Sequence, residues 1–216
     1  MRLDQLILRS AASALLLLVA VVVLASPGDV VDVPVDQLLL GDLAVLVRIV
    51  AGATGVLVVL SAGTVGRALD PERRRRAVPV LLAGFGAALV VFAASTPDPD
   101  VAAAAGAPLV AAEPSTSAAV NTLALLLAST LLPAVMIVQA VRWRRDDETR
   151  RLATTAFVAV VASLWAHFAF SLTEDGTLGA AGLWQRLAFA TAWVWLAVLL
   201  LGLAGRLTSG SAGTRT

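Results

Sequence analysis

The sequence predicts an all-α protein, a polytopic transmembrane helical bundle with six spans. Three observations support this prediction. Six apolar stretches are each long enough to cross a hydrocarbon core of about 30 Å, which takes about 20 helical residues. Hydrophobic residues make up 59% of the 216-residue chain, and its mean hydropathy is +0.89. The connections between the stretches alternate in the sign of their charge.

The spans are predicted to form a single transmembrane helical domain, residues 1–207. A soluble domain of this length would need far more polar surface. Residues 208–216 are rich in Ser, Gly and Thr and predict a disordered cytoplasmic tail. We place the six spans at residues 6–26, 43–66, 77–95, 118–141, 152–172 and 184–205.

The first span has two interpretations. Arg2 and Arg9 resemble the basic region of a signal peptide, and the Val-Leu-Ala segment at residues 23–25 resembles its cleavage site. Cleavage would leave five spans. We favour a retained helix, because the apolar run that begins at Leu6 is longer than that of a usual signal peptide. The Pro-Gly pair at residues 27–28 ends this run as a helix stop would.

Small residues recur along one face of the second span, at steps of three and four residues from Gly52 to Gly66. Lipid provides no hydrophobic drive for helix association, so close backbone contact through small residues has to contribute instead. Gly84 and Ala88 make a similar groove in the third span. We expect these faces to pack inside the monomer, and a dimer interface is the alternative.

The remaining spans carry weaker local signals. Pro133 is expected to bend the fourth span, because proline removes a helix hydrogen bond. Trp143 and Trp184 mark the two membrane interfaces, where an amphipathic ring is favoured. The connection at residues 96–117 contains four prolines and three acidic residues, which predicts a mobile outer loop.

Arginine placement predicts the orientation in the cell membrane, because basic residues in short loops stay on the cytoplasmic side during insertion. Fourteen of the sixteen arginines lie before or at the start of the first span, or after the second, fourth or sixth span. Nine of the fifteen acidic residues lie in the other three connections. Both termini are therefore predicted to be cytoplasmic.

The predicted cytoplasmic face holds six acidic residues against its fourteen arginines, so its net charge is near +8. Such a face attracts anionic lipid headgroups by about 1 kcal/mol per basic residue close to the surface. We therefore predict contact with membrane lipids and no contact with nucleic acid. A membrane-protein partner or a homo-oligomer stays open. The candidate contacts for anionic lipid are Arg73, Arg74, Arg75 and Arg76.

Four polar side chains are predicted to share one layer near the outer ends of the spans: Arg48, Asn121, His167 and Arg186. Polar groups at membrane depth are costly, so each is a functional candidate. Together they predict a shallow, outward-facing polar cavity. For Arg48 and His167 taken singly we favour structural roles: Arg48 extends to the headgroups or pairs with an outer acidic residue, and His167 forms an interhelical hydrogen bond.

Composition and motifs argue against most chemistries. The chain has no cysteine for disulfides or thiolate catalysis, and its one histidine is too few for bis-imidazole haem ligation. Phosphate-binding loops, HExxH, GxSxG and EF-hand patterns do not occur, and there is no lysine for a Schiff base. The sequence therefore predicts no catalytic residue, no metal site and no cofactor.

Three functional hypotheses follow. The leading one is a non-enzymatic multi-pass membrane protein that acts through packing, lipid or partner contacts. The second is a small solute or ion transporter that uses the outward-facing cavity. The third is an intramembrane enzyme that uses His167, which is weakened because no acidic residue inside a span could orient the imidazole.

Overall fold

The computed structural model contains six long helices and confirms the predicted fold class. It describes residues 3–24, 34–69, 76–98, 115–144, 150–174 and 180–209, and it has no β-strand within these ranges. Each helix is long and apolar enough to cross a membrane, so the chain is a multi-pass membrane protein. The helices are α1 (Leu3–Leu24), α2 (Ala44–Leu69), α3 (Ala77–Ala94), α4 (Thr116–Trp143), α5 (Arg150–Glu174) and α6 (Ala181–Ser209).

The six helices pack as a closed ring. Each helix packs against its neighbours in sequence, and α1 closes the ring against α6. Consecutive helices run antiparallel, so the start of α1 meets the end of α2. There the Asp4 carboxylate lies 3.2 Å from the Arg67 guanidinium and accepts a hydrogen bond from the Thr64 hydroxyl at 2.9 Å. One core cluster includes buried residues of all six helices.

The antiparallel order gives the bundle two chemically different ends. The acidic end is the one where α1 ends and α2 begins, and Asp42 and Asp98 lie there. The opposite end, which we call the arginine-rich end, carries Arg67, Arg76, Arg142, Arg144, Arg150, Arg151 and Arg206.

The helices are apolar on their outer surface as well as in the core. Phe85 and Leu132 are at most 1% exposed, whereas Val45 is 69% and Trp165 63% exposed. A helix that is hydrophobic all round is typical of a bundle in lipid, because its outer face contacts hydrocarbon.

Two glycines let the backbones of α2 and α3 approach closely where these helices cross. A Cβ atom on Gly55 would lie 2.5 Å from the carbonyl oxygen of Gly86, and one on Gly86 would lie 2.6 Å from that of Gly55. This confirms that the small-residue face of the second span packs inside the monomer. Its partner is Gly86, whereas the Cβ position of Gly84 faces Leu131 of α4.

Helix α1 is a full member of the ring. Leu8, Ala11 and Leu15 are completely buried, and the Thr54 hydroxyl of α2 donates to the carbonyl oxygen of Ala14 at 3.2 Å. Retention of this helix stays a prediction. Because α1 packs between α2 and α6, its cleavage would leave a gap in the ring between these two helices.

The structure also contains a short 3-10 turn before α2, at Asp36–Leu39, which the sequence did not predict. It buries Val35 and Leu39 at the acidic end, and its four residues are too few to give a periodic signal. At the other end of the chain, α6 continues to Ser209 and so passes the predicted start of the tail. Residues 99–114 of the predicted outer loop and residues 210–216 of the predicted tail lie outside the described residues.

Gly55→Ala and Gly86→Ala should each lower the free energy of unfolding by about 1–3 kcal/mol, because the added methyl group meets the backbone of the facing helix. The measurement is denaturant unfolding of the detergent-solubilised chain, followed by circular dichroism. Gly205→Ala is the matched control, since a Cβ atom there meets nothing within 4 Å. Equal stability of the Gly55→Ala and Gly205→Ala variants would contradict the glycine contact.

Candidate functional site

At the acidic end, Arg48 of α2 reaches across to the C-terminal end of α3. Its Nη1 donates to the carbonyl oxygens of Ala93 at 3.0 Å and Ser95 at 2.7 Å, and its Nη2 donates to Thr96 Oγ1 at 3.2 Å. The last carbonyl groups of a helix have no donor within the helix and form the negative end of its dipole. The guanidinium therefore caps α3 with a charge of the favourable sign.

Asn121 of α4 binds the same helix end. It is only 1% exposed, and its Nδ2 donates to the carbonyl oxygen of Phe92 at 3.3 Å and to Ser95 Oγ at 3.0 Å. The Ser95 hydroxyl in turn donates to the carbonyl oxygen of Val91 at 2.9 Å. Side chains of α2 and α4, together with Ser95 itself, thus satisfy most of the final carbonyl groups of α3.

Arg186 of α6 has a similar role at the end of α1, and the neighbouring Gln185 binds the segment before the 3-10 turn. Arg186 is 2% exposed, and its Nε donates to the carbonyl oxygen of Val22 at 3.1 Å, in the last turn of α1. Gln185 is also buried, and its Oε1 accepts a hydrogen bond from the backbone N–H of Val35 at 2.6 Å. These bonds join the start of α6 to α1 and to the segment that leads into the 3-10 turn.

Neither of the two described pockets is lined by all four predicted residues. Arg48 and Asn121 meet at the end of α3, and Arg186 lies at the end of α1. Of the four, only His167 lines the pocket described below. The physical reason is that backbone groups in lipid must find donors inside the protein, and long polar side chains of adjacent helices supply them. The described partners of Arg48 are carbonyl and hydroxyl oxygens and include no carboxylate.

His167 is held by its own helix, α5. Its Nδ1 lies 2.8 Å from the carbonyl oxygen of Ser163, and because a carbonyl oxygen only accepts, Nδ1 carries the proton. In the neutral ring Nε2 is then an acceptor, and it is buried without a hydrogen-bond partner in the described structure. The interhelical hydrogen bond expected here is made by Ser163 instead, whose Oγ donates to the carbonyl oxygen of Ala188 at 3.1 Å.

His167 lines a pocket of about 490 Å³ in the acidic half of the bundle, bounded by α4, α5, α6 and the segment before α2. Phe170 and Phe189 provide much of its apolar surface, and the Phe189 ring lies edge-on to the imidazole with a centroid distance of 5.6 Å. No carboxylate or arginine is among the described lining residues. The polar lining residues are Gln37, Thr122, Ser129, His167 and Gln185.

Sequence reasoning missed most of this lining. Gln185 carried a usable signal, because an amide in an apolar span is costly and needs a partner. Gln37 carried none, since it lies in a connection. Ser129 carried little, because a hydroxyl can bond to its own helix, as it does here to the carbonyl oxygen of Leu126 at 2.8 Å.

A second buried polar group, Gln139 of α4, lies towards the arginine-rich end. It is 1% exposed, and neither its Oε1 nor its Nε2 has a hydrogen-bond partner in the described part of the chain. Gln139 does not line the pocket.

The candidate contact for anionic lipid falls mostly outside the described residues. Arg73, Arg74 and Arg75 are not described, whereas Arg76 is exposed at the N-terminal end of α3. The lipid contact of this segment stays a prediction.

Hydrogen bonds join the two ends of the connection between α3 and α4. Asp98 accepts from the backbone N–H of Ser115 and from its hydroxyl, both at 2.7 Å, and the Ser115 hydroxyl accepts from the N–H of Ala118 to cap α4. The backbone and side-chain hydrogen bonds of Ser115 stabilise the carboxylate and lower the pKa of Asp98 below its usual value of 3.8. The backbone N–H of Thr96 adds a hydrogen bond to Ser117 Oγ at 2.8 Å.

The chain matches a protein family whose function is unknown. The family described as "Protein of unknown function (DUF998)" matches residues 10–202, which reach from α1 into α6. No curated protein and no solved structure gives a significant match.

Arg48→Ala should lower the free energy of unfolding by about 2 kcal/mol, because it removes charge-assisted hydrogen bonds from carbonyl oxygens that have no other described donor. Arg48→Lys should recover only part of this loss, since an ammonium group is a point charge and cannot reproduce the guanidinium fork. The measurement is again denaturant unfolding in detergent.

Arg144→Ala is the matched control for Arg48→Ala, because Arg144 is exposed and its side chain makes no hydrogen bond within the described residues. It should leave the stability unchanged. If both alanine variants were equally stable, Arg48 would not act as the cap of α3.

Proposed function

We propose a function for this chain, which belongs to the DUF998 family of proteins of unknown function: it is a non-enzymatic multi-pass membrane protein that binds a small uncharged ligand in the pocket of its acidic half. The observation that carries this proposal is His167 Nε2, a buried acceptor without a described partner on a side chain that lines the pocket. The other conspicuous polar groups, Arg48, Asn121 and Arg186, are engaged with helix ends.

The lining favours a ligand without net charge. The described lining residues include no carboxylate and no arginine, so a charged ligand would lose its hydration without gaining a counter-ion. The side chains of Gln37, Thr122 and Gln185 offer neutral amide and hydroxyl groups instead. Pockets with a few neutral polar groups on an apolar surface are typical of small-molecule sites.

The ligand's functional groups follow from the two sides of the pocket. His167 Nε2 needs a hydrogen-bond donor, such as an amide N–H or a hydroxyl. Phe170 and Phe189 favour an apolar or aromatic body, and Phe189 is itself stacked on Trp193 with a centroid distance of 5.3 Å. An aromatic amide or alcohol combines both features.

Binding has more support than catalysis. A histidine that transfers protons is commonly oriented by a carboxylate, whereas a backbone carbonyl group holds His167 here. Within the described residues, no three histidine, cysteine or acidic side chains are close enough to hold a metal ion. The pocket thus offers recognition groups and no described catalytic partner for the imidazole.

Transport of the bound solute is the second candidate. It is favoured by the position of the pocket, which three spanning helices bound. Sites between spanning helices are the usual location of transported solutes, because small movements of the helices can change access from one side to the other.

We also propose that the arginine-rich end faces the cytoplasm, where it contacts anionic lipid. The support is the concentration of arginines at that end, which insertion retains on the cytoplasmic side. This orientation opens the acidic half, with its pocket, towards the outside of the cell.

Reporter fusions test the orientation. A fluorescent protein fused after Glu72 should fluoresce, and alkaline phosphatase fused at the same position should be inactive, because the segment is cytoplasmic. The same two reporters fused after Asp98 should give the opposite result and serve as the matched control. Active phosphatase at Glu72 would contradict the orientation.

Benzamide is a suitable probe of the pocket, since it joins an aromatic ring to an uncharged donor. Bound benzamide should raise the unfolding midpoint of the detergent-solubilised chain. At a concentration 100-fold above the Kd, the free energy of unfolding should increase by about 2.7 kcal/mol. Ser129→Leu should abolish this gain by filling the pocket, and His167→Leu should weaken it by removing the acceptor.

Thr130→Leu is the matched control for Ser129→Leu, because Thr130 is exposed, neighbours Ser129 and does not line the pocket. It should keep the full benzamide effect. If neither benzamide nor other uncharged aromatic amides and alcohols stabilise the protein, the binding proposal is wrong. Saturable uptake of radiolabelled benzamide into proteoliposomes, lost in Ser129→Leu, would favour transport over binding alone.

A further inference from the structure

An apolar groove of about 380 Å³ lies at the arginine-rich end, lined mainly by α6 and α5 and also by Leu69 of α2 and Trp143 of α4. Trp195 and Leu203 of α6 are buried in its floor, and Trp143 at the end of α4 is half-buried there. Leu152 of α5 and Val198 of α6 are exposed at its rim, by 38% and 61%. The groove therefore opens on the lipid-facing side of the bundle.

The α6 residues of the groove follow one helical face across one leaflet. They occupy positions i, i+3, i+4, i+7, i+8 and i+11, from Trp195 to Arg206. At about 1.5 Å per residue this interval is roughly 16 Å long, about half of a 30 Å hydrocarbon core. The groove thus has the depth of one acyl layer, with a cation at its end.

Arg206 places a positive charge at the mouth of the groove. Its side chain is exposed and makes no ion pair or hydrogen bond with another described residue. Among the described residues of this end the acidic one is Asp4, which is paired with Arg67. The sequence assigns fourteen arginines and six acidic residues to this face, and this net positive charge favours an anion at the mouth. Four further described arginines are close in sequence to the lining residues Trp143 and Leu152: Arg142, Arg144, Arg150 and Arg151.

We propose that this groove binds an acyl chain of an anionic phospholipid, whose phosphate lies at Arg206. The apolar floor takes the hydrocarbon, and a guanidinium group donates two hydrogen bonds to phosphate oxygens in a matching geometry. Trp143 lies at the level where an aromatic ring meets the headgroups. The site shares no residue with the pocket of the acidic half and does not depend on its ligand.

Charge selects the class of lipid. A zwitterionic headgroup brings an ammonium group among the arginines, which offsets the attraction of its phosphate. An anionic headgroup keeps that attraction, and each basic residue near the surface then strengthens binding by about fivefold. The net charge near +8 that the sequence assigns to this face acts in the same direction.

Gly202 allows the groove to be filled without disturbing the bundle. It lines the groove, and a Cβ atom there would meet no atom within 4 Å. Gly205 lies one turn away with equally open space, but it does not line the groove. Leucine at position 202 therefore occupies the space of the acyl chain, and leucine at position 205 does not.

The test measures lipid binding to the detergent-solubilised full chain by native mass spectrometry, with phosphatidylglycerol and phosphatidylcholine of identical acyl chains. Wild type and Gly205→Leu should bind phosphatidylglycerol at least fivefold more tightly than phosphatidylcholine. Gly202→Leu should weaken phosphatidylglycerol binding by fivefold or more. Arg206→Gln should lower the preference for phosphatidylglycerol by about fivefold and leave phosphatidylcholine binding unchanged.

Unchanged phosphatidylglycerol binding by Gly202→Leu would overturn the groove as the site, and equal binding of the two lipids by wild type would overturn the anionic headgroup. Glycerol 3-phosphate should not compete, because it lacks the acyl chain, and competition by it would also overturn the proposal.

Unfolding curves without lipid verify that each variant is folded, and the exposed Arg206→Gln variant provides the test if leucine at 202 unfolds the chain. Ser129→Leu should bind phosphatidylglycerol as wild type does, which separates this site from the pocket.

Discussion

A helix that ends in or near hydrocarbon leaves its last carbonyl groups without donors, and this constraint organises the acidic end of the bundle. It is most severe for α3, which has 18 residues and spans only about 27 Å at 1.5 Å per residue. Arg48 and Asn121 provide the missing donors from α2 and α4. Arg186 does so for α1, and the same contact closes the ring between the first and last helices.

This use of polar side chains changes how the intramembrane charges are interpreted. An arginine at membrane depth is a functional candidate by default, because its desolvation is costly. In this bundle the cost is offset by carbonyl groups that would otherwise be unsatisfied, and both Arg48 and Arg186 have structural partners of this kind. His167 differs, because its Nδ1 is satisfied within α5, whereas its buried Nε2 has no partner among the described residues and its side chain lines the pocket.

The crossing of α2 and α3 is packed more tightly than the surroundings of the two described pockets. Helices α2 and α3 cross with their backbones in contact at Gly55 and Gly86, which leaves no space between them at that point. Space remains beside α5 and α6, as a pocket near His167 and as a groove near Arg206. Both proposed binding sites, one for an uncharged solute and one for a lipid, thus lie beside α5 and α6.

The sequence by itself determined the six helices, their approximate ends and the separation of charge between the two faces. Span length and local hydropathy depend on consecutive residues, so no knowledge of neighbouring helices is needed for them. Only the tertiary structure decided which polar groups meet. Arg48 is 45 residues from Ala93, and Asn121 is 26 from Ser95, so their pairing depends on how α2, α3 and α4 rotate about their axes. The rotation of α2 and α3 also selects Gly86 over Gly84 as the partner of Gly55. The rotation of α5 and α6 in turn brings His167 and Gln185 to one pocket. In each case the direction of a side chain is set by helix packing and not by its position along the chain.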